Sequence, residues 1–301
     1  MALDSGNALF RNAGGANEED RRRAHFILGV MGRLGTKAMA VGARDLSAGS
    51  QFLAGEGKSS GVKLLSANLR RQGKPVFDVS TTVKIGGLQV AVLGVSAPGP
   101  IAPNEAEVLA EPTVASVREV LGKLGKRDVT VLLAATSWAD AMQLAETFKG
   151  TVDFVIQSGE FRGTIPPQRI EGSDTFVFAS GQKGQSMGKL DLTWGSKGPV
   201  VDLSAVERDR QQLELVTSQL ASIEGRLKAN RDPNQKAALE ATVAQFRARV
   251  DELGKTVRSA SGAHPGRTLK LDWVVFSTAV KDDEALKAEV LKVEPSYAGS
   301  H

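Results

Sequence analysis

The chain changes rhythm along its length. Over residues 18–34 apolar side chains return at helical spacing (Ala24, Ile27, Leu28, Met31, Leu34), with Gly35 after them as a C-cap, so a helix is predicted. Residues 76–84 and 88–95 alternate at period two around Gly86-Gly87, the pattern of a β-hairpin. Residues 128–134, D-V-T-V-L-L-A, are a continuous apolar run, as in a strand buried on both faces. Further strands are expected at 61–69, 153–156, 175–180 and 187–194. Further helices are expected at 46–55, 112–124 and 138–148, with a Pro-rich connection over 98–112. Strands alternating with helices predict an α/β domain.

From residue 206 to 258 the rhythm is different. Leu213, Val216, Leu220, Ile223 and Leu227 step by three and four, residues 230–233 break the helix, and Leu239, Val243, Phe246, Val250, Leu253 and Val257 step by four and three. These are two a/d seams joined by a short turn, predicting an antiparallel coiled-coil arm whose halves are about 36 Å long. The seams can satisfy one another, or the arm can dimerise or dock a protein partner. Residues 259–267 read as a linker, 268–280 as a long strand rejoining the sheet, and 282–293 as a polar helix. The expected domains are 1–205 with 266–293, an arm at 206–258, and a tail at 294–301.

Composition narrows the chemistry. The 301 residues are 41% hydrophobic and 24% charged, with a net charge of +4. No run approaches the roughly 20 apolar residues of a membrane span. Basic residues are dispersed apart from Arg21–Arg23, and there are one Tyr and three Trp, which argues against a nucleic-acid partner. Without cysteine there is no disulfide, thiolate site or Cys nucleophile. The three His, at 25, 264 and 301, are too few for the usual two-metal hydrolase site.

Residues 38–46, A-M-A-V-G-A-R-D-L, read as a strand end turning at Gly42 into polar Arg44 and Asp45. This stretch resembles the A-M-x-x-G-N-H-E turn of bacterial 5'-nucleotidases in the calcineurin-like metallophosphoesterase superfamily. Residues 4–10, D-S-G-N-A-L-F, resemble that family's D-x-G-D motif, and residues 74–98 match its hairpin. Residues 175–194 match its glycine-rich segment. The resemblance, over about residues 3–203, implies a layered sandwich of two mixed sheets flanked by helices, with the arm as an insertion. It implies a first strand upstream of Met1, so the chain is expected to be an excised piece.

The resemblance also assigns the ligand positions, and the family's residues are missing there. The metal-bridging Asp becomes Asn7, with Asp4 retained. The ligand Asn becomes Ala43 and the phosphate-contacting His becomes Arg44, beside Asp45. A further His falls on Ala135, and the family's G-G-H-x-H becomes Gly159, Glu160 and Arg162 without His. An amide cannot bridge and neutralise two divalent cations. The expectation is a non-catalytic structural or binding module without metal or other cofactor. One alternative is a phosphomonoesterase using Asp4, Asn7, Arg44 and Asp45 with one Mg²⁺. Another is a phosphate or nucleotide binder using Arg44 and Lys183. The tail, E-P-S-Y-A-G-S-H, resembles the lead-in to the first haem motif of multihaem cytochromes fused to such domains. By resemblance the protein is expected to be periplasmic, secreted or surface-anchored, with a multihaem domain C-terminal to it.

Overall fold

The computed structural model describes all residues except 103–104, 161–162, 182–183, 196–197, 263–265, 278–279 and 297–301. Two units divide it: Met1–Met187 with Val274–His301, and Gly188–Trp273.

In the larger unit β1 (Ala2–Asp4) leads through a loop to α1 (Glu18–Arg33) and β2 (Thr36–Ala40). An Asn17–Asp20 capping box starts α1, each side chain accepting from the other's main-chain N–H. The helix expected at 46–55 begins later. A 3-10 turn (Arg44–Leu46) comes first, Gly49 takes a left-handed φ of 91° that no helix contains, and α2 runs Ser50–Ser60. β3 (Lys63–Leu65) completes a three-stranded sheet in the order β1-β2-β3. Every pairing in it is parallel, so this layer is not mixed.

β4 (Leu69–Arg71), β5 (Lys74–Pro75), β6 (Ser80–Ile85), β7 (Leu88–Ser96) and β8 (Val108–Ala110) follow. β6 and β7 form the expected hairpin, and Gly86 and Gly87 both take the positive φ that its turn demands. Next come α3 (Thr113–Lys123), β9 (Val129–Ala135), α4 (Trp138–Thr147), β10 (Phe154–Ser158), β11 (Thr164–Arg169) and β12 (Phe176–Ser180). They build a mixed six-stranded sheet, β11-β12-β10-β9-β7-β6, and β9 is buried at every position. β11, T-I-P-P-Q-R, has no period-two alternation and carries two prolines. It is tolerated because it is an edge strand, with its register shifted at the prolines.

β5-β4-β8 form a third, small antiparallel sheet; the β1-β2-β3 sheet and the six-stranded sheet pack face to face. Gly94 comes so close to Leu65 that a side chain there would overlap its carbonyl, and the Ala67 N–H donates to Gly94 O at 2.7 Å. One core lies under α1 and α2 (Leu28, Met39, Leu53, Leu64) and another under α3 and α4 (Leu93, Val117, Leu132, Leu144, Val155). The result is a helix–sheet–sheet–helix sandwich.

In the smaller unit β13 (Ser186–Trp194), β14 (Val200–Asp202) and β15 (Arg267–Val275) form their own sheet, in the order β13-β15-β14. The strand expected to rejoin the main sheet therefore pairs elsewhere. α5 (Leu203–Ala229) and α6 (Pro233–Gly262) pack on each other between β14 and β15. Val216, Val243 and Leu253 are buried in that contact, and Arg247 hydrogen-bonds Glu224 across it. α7 (Glu284–Val293) returns to the larger unit, where Glu289 pairs with Arg33 of α1 at 2.7 Å.

Candidate functional site

The strands of both sheets deliver their C-terminal ends to one place. Asp4 lies level with Met39 at the ends of β1 and β2, and Ser158 lies level with Ala135 at the ends of β9 and β10. The sheets are tied together there. Ser158 Oγ donates to Ser5 O at 2.5 Å and Ser96 Oγ to Val41 O at 2.6 Å, while Gln157 Nε2, donating to Thr136 O at 2.7 Å, braces β10 against the end of β9 within the six-stranded sheet.

Asn7 stands in the middle. It has a left-handed φ of 62°, which Asn tolerates better than most residues. Its side chain fills the space over Gly42, where any Cβ would overlap the amide. A Cβ on Gly159, whose φ is 117°, would lie 3.2 Å from Asn7 Nδ2. Asn7 Oδ1 accepts the Arg44 N–H at 3.2 Å. Ala43 is half-buried beside it, and Ala135 is buried below, against Gly6.

Asp45 is fully buried and acts as a clasp. One oxygen accepts the N–H groups of Asn7 (2.6 Å) and Gly42 (2.9 Å); the other accepts those of Ala8 (2.9 Å) and Leu9 (3.1 Å). Burial pushes its carboxyl up from the usual range, and the four donors pull it down. Asp4 accepts the Gly6 N–H at 2.7 Å. Burial raises the Asp4 carboxyl to about 6, the Gly6 bond opposes this, and the neighbouring Asp45 charge adds to it. Glu160 accepts the first N–H of α4, from Trp138, at 3.0 Å.

The structure thus brings Asp4, Asn7, Ala43, Arg44, Asp45, Ala135 and Gly159 together, with Glu160 at the α4 N-terminus. Arg162 and Lys183 lie outside the described residues. Asp45's use as a clasp was not legible in the sequence, since its four donors come from two segments. The hydroxyl and amide ties of Ser158, Ser96 and Gln157 carry no motif either.

No protein-family model matches the sequence, and no curated protein sequence does. Solved structures do match. A 5'-nucleotidase precursor from Thermus thermophilus superposes with a TM-score of 0.54 at 22% identity, over 62% of this chain and 41% of that one. The sulfate thiohydrolase SoxB of T. thermophilus matches with a TM-score of 0.54 at 20% identity, over 64% of this chain and 35% of that one. The calcineurin-like phosphoesterase YfkN of Bacillus subtilis gives 0.51 at 20% identity, over 63% and 70%. This is the 5'-nucleotidase-like metallophosphoesterase fold. The chain spans about two-fifths of the length of the Thermus 5'-nucleotidase precursor.

A pair of divalent cations does not fit the residues present on this metallophosphoesterase-like scaffold. Hard cations need several oxygen ligands with negative charge among them. Here the Asn7 oxygen is neutral and accepts an N–H, both Asp45 oxygens serve main-chain donors, and Ala43 and Ala135 offer nothing. Among the described residues no three His, Cys, Asp or Glu side chains gather as a metal site.

Proposed function

We propose that this chain is a non-catalytic 5'-nucleotidase-like module, a structural or binding part of a larger exported protein. The observation that carries the reading is the Asn7 amide. It occupies the position that the resemblance gives to a bridging carboxylate, and its oxygen accepts the Arg44 N–H. The phosphomonoesterase alternative would take Asp45 as a ligand. That carboxylate accepts four main-chain N–H groups, which supports the non-catalytic reading. Export, and association with a multihaem cytochrome beyond the tail, rest on the resemblance alone.

Calorimetric titration with Mn²⁺ or Zn²⁺, paired with phosphate release from nucleotides and p-nitrophenyl phosphate, tests this. The expected result is no tight metal uptake and no release above background. Two tightly bound equivalents, or turnover abolished by Asp4→Ala, would overturn it.

A further inference from the structure

β13 is the edge of its sheet, and among the described residues no strand pairs with its outer side. Its main-chain parity can be read from the two ends of the ribbon that it makes with β15. The Phe276 N–H donates to Gln185 O, and the Gly195 N–H donates to Gly266 O, both at 2.9 Å. Both bonds belong to one antiparallel register without a slip between them. Hydrogen-bonded pairs recur at every second residue, so odd-numbered residues of β13 turn their N–H and C=O toward β15. Gly188, Leu190 and Leu192 turn theirs outward.

The side chains alternate as well. Lys189 and Asp191 are on the exposed face, while Leu190 and Leu192 are half-buried on the other. The same register sets Lys189 opposite Asp272 and Asp191 opposite Lys270. Ion pairs also run along each strand, Lys189 to Asp191 at 2.8 Å and Lys270 to Asp272 at 3.3 Å. The face is a checkerboard of four charges, and its outer column is self-complementary.

We propose that the outer edge of β13 pairs antiparallel with β13 of a second copy of this chain, about a two-fold axis through Leu190. In that register Leu190 meets the partner's Leu190 and Gly188 meets the partner's Leu192, giving about six main-chain hydrogen bonds over five residues. Lys189 then lies opposite the partner's Asp191, in the non-hydrogen-bonded pairs where side chains approach closest. The checkerboard continues unbroken across four strands. Sliding the partner by two residues sets Lys189 against the partner's Lys189, or Asp191 against the partner's Asp191. Like charges directly opposite are unfavourable, so the charges select one register. An exposed Lys on an edge strand ordinarily blocks pairing. Here the following Asp191 converts that guard into a key for its own copy.

The test is sedimentation equilibrium of the full chain, with Lys189→Asp and Asp191→Lys made separately. Both positions are exposed, and circular dichroism reports whether each variant folds. Wild type is expected to self-associate within about 1–300 μM. Each variant sets like charges opposite each other in its own dimer and weakens association about tenfold or more. An equimolar mixture of the two restores unlike pairs, and a heterodimer as tight as the wild-type dimer is expected. A wild type monomeric throughout that range overturns the proposal. So do variants that dimerise as wild type does, which would point to another surface such as the α5–α6 pair, and so does a mixture that stays monomeric. None of these outcomes depends on whether the site of the larger unit binds metal.

Discussion

Asp45 joins a loop after β1 to the turn after β2 through four main-chain donors, at a position with no exposure. Removing the carboxylate leaves buried N–H groups without an acceptor, and each costs about 1–3 kcal/mol. Asp45→Ala is therefore expected to lower unfolding stability by at least ~3 kcal/mol in urea titrations, whether or not any ligand is present. Asp45→Asn should also destabilise, because one amide face offers donors to donors. A variant of wild-type stability would show that the clasp is not structural. Asp4 behaves differently. Its folded pKa of about 6 is above the 3.8 of an ordinary Asp, so the folded state holds a proton that the unfolded state releases. Stability from this group is present below pH 4 and is lost as pH rises through 6, by at most ~3 kcal/mol. Asp4→Asn keeps an acceptor for Gly6 and carries no charge. It should flatten the fall in stability between pH 4.5 and 7.5, measured by denaturation at both pH values against wild type.

At the scale of elements, the α5–α6 pair separates packing from charge. Leu253 is buried between the helices, whereas the Arg247–Glu224 bond is solvent-exposed on the Arg side. Leu253→Ala should cost about 2 kcal/mol or more through the cavity it leaves. Glu224→Gln should cost no more than about 1 kcal/mol. Melting curves followed by circular dichroism compare them, and equal losses would contradict this ranking. That two helices form here was legible because the apolar residues recur at the helical period. β6 and β7 were legible because Gly-Gly permits the positive φ of a tight hairpin turn. β11 was not, since its two prolines argue against a strand, and only its edge position excuses them.

For the whole molecule, the smaller unit interrupts the larger one between Met187 and Val274. The chain enters and leaves at paired strands, with Gln185 O bonded to the Phe276 N–H at 2.9 Å. Replacing 188–273 by an Asn-Gly turn should therefore leave the two-sheet sandwich folded, with a single cooperative melt. Loss of cooperative unfolding in that shortened chain would show that the larger unit needs the insertion. The sequence did not give this boundary. It indicated a strand at 268–280, but which sheet accepts that strand depends on non-local pairing.

The sequence by itself determined the alternation of helices and strands, the hairpin, the two long helices and the residue types at the site. These follow from side-chain periodicity and turn chemistry, which are local. Folding decided that Gly42 and Gly159 meet at the Asn7 amide, that Ala135 packs against Gly6, and that Asp45 serves four donors from two loops. It also decided that β15 joins β13 rather than the central sheet. Each of these depends on which distant backbone groups come within hydrogen-bonding reach, and no short-range pattern encodes that.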